Sequence, residues 1–164
     1  MLFFKTSMWN AFYINDLDIT PFKTPHDCAE SVGFSLYSGI RKLTIATDIG
    51  HISKQMLEQF RHSHILVLEA NHDMDMLLNG PYPPPLKRRI MGNNGHLSND
   101  ACGEALSHLL SCELQQVVLA HLSQENNRPE IAYGTVSSRL SDEGCDLPVD
   151  VAYQDRRGPV YRIK

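Results

Sequence analysis

"QVVLAHLSQENN", residues 116–127, decides how the chain is read. Val117, Val118, Leu119 and Ala120 make an apolar run of strand length. The run stops on His121 and passes into Ser123, Gln124, Glu125, Asn126 and Asn127, all of which must find hydrogen bonds. An apolar run that delivers one ligand-type side chain recurs elsewhere. "TIATDIG" (44–50) delivers Asp48, and "HILVLEANHD" (64–73) delivers Glu69, then His72 and Asp73. "HILVLEA" is too short and too uniformly apolar for a surface helix, so it reads as a buried, parallel strand.

Around these runs the chain alternates between strand and helix patterns. "AFYINDLDITPF" (11–22) places Phe12, Ile14, Leu17 and Ile19 in alternation, with Asn15-Asp16 as a turn. "VGFSLYSGIRKLTIATD" (32–48) predicts two strands hinged at Ser38-Gly39. "HISKQMLEQFRH" (51–62) spaces Ile52, Met56, Leu57 and Phe60 as a helix. "NGPYPPPLKRRIMGNNG" (79–95) reads as a loop with at most one helical turn after Pro85. Residues 99–113 predict a helix capped by Ser98 or Asn99, with Ala101, Ala105, Leu109 and Cys112 on one stripe. Pro129 suits the first turn of a helix to about Leu140, with Asn126 and Asn127 as its cap. Strand-like alternation closes the chain in "LPVDVAYQDRRGPVYRI" (147–163). The expected class is an α/β layered domain. "GHIS" at 50, "GHLS" at 95 and "AHLS" at 120 are unequally spaced and differently flanked, so they are not a repeat.

Composition narrows the function classes. The 164 residues are 42% hydrophobic and 21% charged, with a net charge of −4, which gives no global attraction for a polyanion or an anionic membrane. The basic clusters Lys87-Arg88-Arg89 and Arg156-Arg157 are small enough to be solvated faces. Cys28, Cys102, Cys112 and Cys145 contain no Cys-x-x-Cys, which points to reduced thiols and a cytoplasmic protein. "MLFFKTSMWNAFYIND" (1–16), interrupted by Lys5, does not read as a signal peptide, and no apolar stretch approaches the ~20 residues of a membrane span.

Imidazoles and carboxylates collect at the predicted strand ends and loops: His26, Asp48, Glu69, His72, Asp73, His96 and His121. Residues just beyond strand C-termini gather along one edge of an α/β sheet. Imidazole and carboxylate together suit Zn²⁺ or Mn²⁺. Singly each signal is weak. A lone strand-end histidine is more often structural, Asp48 could cap the helix after it, and Glu69 could be a paired structural carboxylate. His51, His62, His64 and His108 are read as helix or loop surface.

Taken in order, "TPHDCAESVGFSLY", "IATDIG", "LVLEANHDMDML", "GPYPPPLKRRI", "GHLSND" and "LAHLSQENN" resemble the metallo-β-lactamase superfamily. Within it they resemble its YycJ/WalJ-like metallohydrolases, over about Phe12 to Tyr153. The resemblance implies an αβ/βα sandwich with two divalent metals, Zn or Mn, on one edge. It implies that His26 is a ligand of one metal, that Asp48 bridges both, and that His121 binds the second. Glu69 and His96 are similar to the pair that related tRNA-processing nucleases use to protonate a leaving oxygen. The branch is associated with exonuclease activity on DNA, which implies a nucleic acid substrate. Hydrolysis of a small ester or lactam fits that pair less well. His72 and Asp73 belong to the branch's "EANHD" signature, as an outer support of the metals or as a turn.

One departure is large. The superfamily's leading motif, His-x-His-x-Asp-His, is absent; His62-x-His64 runs into "ILVL" instead. Residues 1–164 therefore read as a single incomplete domain, the C-terminal portion of the sandwich, with Met1 a misassigned start or the chain a truncated product. Metal binding by three ligands is expected to be weak or absent. Half a sandwich exposes an apolar sheet face, so a homodimer through that face, poor solubility or a missing partner segment is expected. The expected functions are a metal-dependent nuclease when complete, inactive as this chain alone, or a non-catalytic remnant that folds by self-association.

Overall fold

Alternation at the start of the chain becomes a hairpin. β1 (Phe12–Ile14) and β2 (Leu17–Lys23) are antiparallel with Ile14 opposite Leu17, and Asn15 turns the chain in the left-handed region at φ 54°. β3 (Val32–Ser38) and β4 (Arg41–Ala46) follow as a second hairpin, turned at Gly39 with φ 58°. From β4 onward each return to the sheet is a parallel crossover. α1 (Lys54–Phe60) leads to β5 (Ile65–Glu69). Next, α2 (Met74–Asn79), α3 (Pro84–Ile90) and α4 (Asn99–Ser107) lead to β6 (Gln116–Ala120), and α5 (Pro129–Asp142) leads to β7 (Val149–Val151). The computed structural model describes residues 10–110 and 113–163. Among the described residues the strands form one seven-stranded sheet in sequence order, and no helix is long and apolar enough to cross a membrane.

Alternate residues of a strand face opposite sides, and the two sides of this sheet differ. Ala46, Leu66, Leu68, Val117 and Leu119 are buried under α1, α4 and α5, with Met56, Phe60, Cys102, Leu106, Val136 and Leu140 as the helix contribution. Phe22 meets Phe60 edge-on, with ring centroids 6.1 Å apart. The opposite face carries Phe34, Leu36, Leu43, Ile45 and Val67, all half-buried, and Phe12 and Ile14, which are exposed. On that face Tyr161 and Ile163 line a cleft with Leu17, Leu36, Leu43 and Ile65. One covered face and one incompletely covered apolar face make this an αβ pair of layers.

Strand direction sets where the site can be. β2 and β4 are both antiparallel to β3, and β5, β6 and β7 run parallel to β4. The C-terminal ends of β2, β4, β5, β6 and β7 therefore share one edge, which receives His26, Asp48, Glu69 and His121.

Several elements depart from the sequence reading. The Pro-rich stretch forms the two-turn α3, because Pro84 and Pro85 occupy the first helical positions, where a missing N–H costs nothing. α2 is a helix that the reading omitted; Asp73 caps it by accepting from the Met76 N–H at 2.8 Å. α4 has Ser98 as its cap and ends at Ser107, not 113; Cys112 lies outside the described residues. Arg128, not Asn126 or Asn127, is the cap position of α5, and it makes no side-chain cap bond. Ser53, not Asp48, caps α1. Beyond Val151 the closing segment forms no strand, since Gly158 and Pro159 interrupt it.

Leu119 is fully buried in the face under the helices. Leu119→Ala should therefore lower unfolding free energy by about 2–5 kcal/mol, measured by urea denaturation with an unchanged m-value.

Candidate functional site

Each candidate residue reaches the shared edge by a different local device. Asp48 and His121 stand just past β4 and β6 in the left-handed region, at φ 57° and 59°. Non-glycine residues take that conformation at a cost of order 1 kcal/mol or more, and only where the surroundings over-determine it. At His121 the surroundings are visible. The Asn71 side-chain amide donates to the His121 carbonyl at 2.8 Å, and the Ser123 N–H donates to the Asn71 carbonyl at 2.7 Å. The Asn71 N–H in turn donates to Leu97 O at 2.8 Å. One buried residue thus ties the end of β5 to the loop carrying His96 and to the loop carrying His121.

The His96 loop is held from its other side by close backbone packing. His96 N–H donates to Ile90 O at 2.8 Å, closing the loop on the end of α3. A Cβ on Gly95 would lie 2.1 Å from that same carbonyl, so only glycine fits there. His26 Nδ1–H donates to the Gly95 carbonyl at 2.9 Å, which brings the loop after β2 to the same place.

Glu69 is fully buried, and its carboxylate is shared. Oε1 accepts from His96 Nδ1–H at 2.8 Å and from His121 Nδ1–H at 2.7 Å. Oε2 accepts from the Ile49 N–H at 2.7 Å and from the Leu97 N–H at 3.4 Å. Burial alone would raise its pKa, but the histidine and backbone donors outweigh burial and hold the carboxyl below the usual range. Glu69 raises the His121 pKa in return, through the hydrogen bond first and its charge second, against partial burial. With Nδ1–H committed to Glu69, each imidazole is fixed in the tautomer that presents Nε2 outward.

His26 Nε2 lies 3.5 Å from Asp48 Oδ1, and His121 Nδ1 lies 3.9 Å from the same oxygen. The His26 and His96 ring centroids are 4.8 Å apart, and those of His96 and His121 are 5.3 Å apart. His26, Asp48, Glu69, His96 and His121, five of the seven residues singled out in the sequence, thus form one cluster. Single ligand atoms of His26, Asp48 and His96 lie within 4.8 Å of one another, as do those of Glu69, His96 and His121. Imidazole nitrogens around a half-exposed carboxylate suit a divalent metal in donor chemistry and spacing. The same spacing lets His96 serve as a ligand.

A cavity of about 430 Å³ opens over this cluster, walled by α3 through Leu86, Arg89 and Ile90, by Tyr82, and by Gln124 and Gln154 opposite. Arg89 pairs with Asp27 through its Nε and Nη2, beside His26. His72, from the same "EANHD", is buried, with a pKa pushed down to about 4, mainly by burial. Its Nδ1 bonds to no other residue, so it supports none of the candidate ligands by that atom. His51 is exposed, its Nδ1–H on Asn93 O at 2.9 Å, and takes no part in the cluster. Asn99 and Asn127 form a reciprocal amide pair at 3.0 and 2.9 Å, and Asn127 also donates to Ala70 O at 2.8 Å. The sequence reading missed Asn71 and Gly95; Asn71 follows the strand-end Glu69 by two residues, and Gly95 immediately precedes His96, adjacencies that could have marked both.

No family model matches the chain. Exodeoxyribonuclease YycJ of Bacillus anthracis is 36% identical over 129 residues, covering 79% of this chain and 49% of that protein. Exodeoxyribonuclease WalJ of Streptococcus pneumoniae serotype 2 is 32% identical over 140 residues, covering 85% of this chain and 52% of that protein. The chain spans about half the length of the curated relatives it matches. Its fold is that of the metallo-beta-lactamase fold protein YhfI of Bacillus subtilis, with a TM-score of 0.64 at 13% identity over 87% of this chain and 49% of that one. Zn(2+)-bound PqqB of Methylobacterium extorquens superposes with a TM-score of 0.58 at 18% identity, over 88% and 51%.

The Glu69–His121 bond has a defined pH signature. Because the His121 pKa is raised in the fold, its contribution is complete below the ordinary imidazole value and is lost as pH rises through the folded value. Glu69, whose pKa is depressed, contributes above the ordinary carboxyl value and loses that contribution as pH falls through its folded value. Glu69→Gln should lower the His121 pKa, read as a displaced imidazole titration by NMR. An unmoved titration would mean that Glu69 does not control this imidazole.

Proposed function

We propose that this chain, 36% and 32% identical to YycJ and WalJ over about half their length, is the C-terminal half of a YycJ/WalJ-like metal-dependent exonuclease of the metallo-β-lactamase superfamily that acts on DNA. The observation that carries the reading is the buried Glu69 carboxylate shared by His96 and His121, set beside the His26–Asp48 contact on one sheet edge. These five residues come from five separate segments, and a purely structural role for Glu69 does not account for His26 and Asp48 joining them.

In this reading His26, Asp48 and His121 hold two divalent metals of the Zn or Mn class. The metals, when bound, supply a hydroxide near neutral pH and neutralise phosphoryl oxygens. His96 holds a proton at Nε2 and gives it to the leaving oxygen, while Glu69 stabilises the imidazolium and fixes its ring. The closed carbonyl–amide network through Asn71 keeps these groups from drifting apart. Tyr82, Leu86 and Ile90 line one side of the cavity.

The remaining ligands of both metals belong, in this reading, to the absent His-x-His-x-Asp-His motif and to a sheet that packs on the half-buried apolar face. Free Cys28, Cys102 and Cys145 suit a cytoplasmic enzyme. The second reading, a remnant that does no chemistry, is favoured by the absent motif alone.

Two experiments test these assignments. The 164-residue chain with Mn²⁺ or Zn²⁺ should not hydrolyse DNA. In protein completed with the upstream half, His96→Ala should lower kcat ~10²–10⁴-fold with metal content retained, whereas His121→Ala should lower metal content. Loss of metal in His96→Ala would reverse the two roles, and turnover by the short chain, abolished by Asp48→Ala, would sink the half-enzyme reading. Separately, the short chain should self-associate through Phe34, Leu36, Leu43 and Ile45. Sedimentation should show a dimer that Leu43→Asp dissociates; a monomer that binds no apolar dye would mean that the face is already covered.

A further inference from the structure

Three consecutive carbonyls in the loop after α3 each receive a donor from one of the loops that carry candidate ligands. Asn93 O accepts from His51 Nδ1–H, Asn94 O from the Asp27 N–H and Gly95 O from His26 Nδ1–H, each at 2.9 Å. A Cβ on Gly50 would lie 2.3 Å from the Asn93 carbonyl, so the loop after β4 is pressed against the same stretch. α3 itself is anchored to the end of α2, because Lys87 Nζ donates to Leu78 O at 2.6 Å and to Gly80 O at 2.8 Å. The backbone of Asp27 is thereby held against that of Asn94. What remains to be set is the direction of its carboxylate.

Arg89, on α3, sets that direction. Its Nε donates to Asp27 Oδ2 and its Nη2 donates to Asp27 Oδ1 at 3.1 Å, so both oxygens are taken. The Arg89 and Asp27 side chains are 65% and 30% exposed, and an exposed ion pair adds little stability. A planar fork on both oxygens nevertheless fixes orientation. Orientation matters because of where Asp27 stands. Its Oδ1 lies 3.5 Å from His26 Nε2, the same distance that separates this nitrogen from Asp48 Oδ1. Two ligands of one tetrahedral ion, each ~2.1 Å from it, are ~3.4 Å apart. Both carboxylates thus stand at ligand spacing from one imidazole. Yet the sets whose ligand atoms lie within 4.8 Å of one another, His26–Asp48–His96 and Glu69–His96–His121, leave Asp27 out.

We propose that Asp27 is a latent metal ligand, and that Arg89 is a positioning residue that keeps it out of the donor set. The proposal rests on the metal reading of this edge and adds a carboxylate able to bind there and the residue that restrains it. A catalytic metal keeps one position for water or substrate, whereas a metal closed in by protein ligands is structural. Asp27, once released, needs only a side-chain rotation to fill such a position. Among the described residues lining the cavity over the site, Arg89 is the one lysine or arginine, so no second cation there takes over its grip.

Mn²⁺ titration of the 164-residue chain, read by loss of the free-ion electron spin resonance signal, tests this without turnover. The parent, Arg89→Gln, Asp27→Asn and the double variant form a cycle. Arg89→Gln should tighten Mn²⁺ binding about 10-fold more in the parent background than in the Asp27→Asn background, a size typical of residues that support a metal site. Loss of the cation is the same change in both backgrounds, so the excess belongs to the released carboxylate. In the Arg89→Gln chain Mn²⁺ should also broaden the Asp27 Cγ resonance as strongly as that of Asp48, which a change of charge does not produce. In protein completed with the upstream half, Arg89→Gln should keep its metal and lose kcat, and adding Asp27→Asn should restore part of that loss. The proposal is overturned if the cycle shows no excess, or if completed Arg89→Gln protein turns over like the parent. Mn²⁺ binding to completed protein that His121→Ala leaves intact would sink the metal reading and this inference with it. Binding that depends on His121, with no excess in the cycle, would sink this inference alone.

Discussion

One buried carboxylate holds the edge of this sheet together. Glu69 accepts from two imidazoles and two backbone N–H groups, and these donors come from the segment after β4, the loop before α4 and the end of β6. A charge buried that deeply is tolerated only when its lone pairs are occupied. Each of those segments must therefore arrive in register, or the fold carries an uncompensated anion. The requirement works in both directions. It makes Glu69 a structural residue of the sheet edge, and it makes the rings of His96 and His121 rigid with respect to each other.

The strand ends supply the rest of the arrangement. A chain leaving a parallel strand normally turns at once into its crossover, carrying any side chain there away from the edge. Asp48 and His121 avoid this by a single left-handed residue each, which redirects the chain for one step and leaves the side chain at the edge. Such backbone needs external support, and at His121 the Asn71 amide provides it. The network around Asn71, Asn99 and Asn127 is thus best understood as the cost of presenting ligand-type groups on an edge otherwise made of apolar strand ends.

The apolar runs and their polar endings made most of this legible in the sequence. Four strand-end or loop residues and the shared carboxylate were all visible as types at positions, and the elements β2 to β6, α1 and α5 followed from periodicity. What was not legible was set by contacts between distant segments. That Glu69 serves His121 as well as His96 depends on the adjacent parallel pairing of β5 and β6, which no local rule encodes. The α3 helix was hidden because prolines read as punctuation, although Pro84 and Pro85 stand where a helix tolerates them. α2 was hidden because Asp73 was weighed as a turn or a metal support rather than as a cap. Gly95 and Asn71 sit between residues that drew attention, and only packing shows why neither can change.

Under the proposed reading, the shared carboxylate also bears on metal affinity. Glu69 makes the His121 ring more basic, and a more basic imidazole is a better donor to a metal. The same bond favours the imidazolium, which cannot bind a metal at all, so proton and metal compete for Nε2. With a full set of ligands, the summed coordination energy displaces the proton readily and the extra basicity is net gain. Under the proposed reading, the bond that prepares this edge for metals also opposes them through the proton it favours. Orientation of these side chains is a property of the shared sheet edge, and under the proposed reading metal affinity depends on further ligands as well.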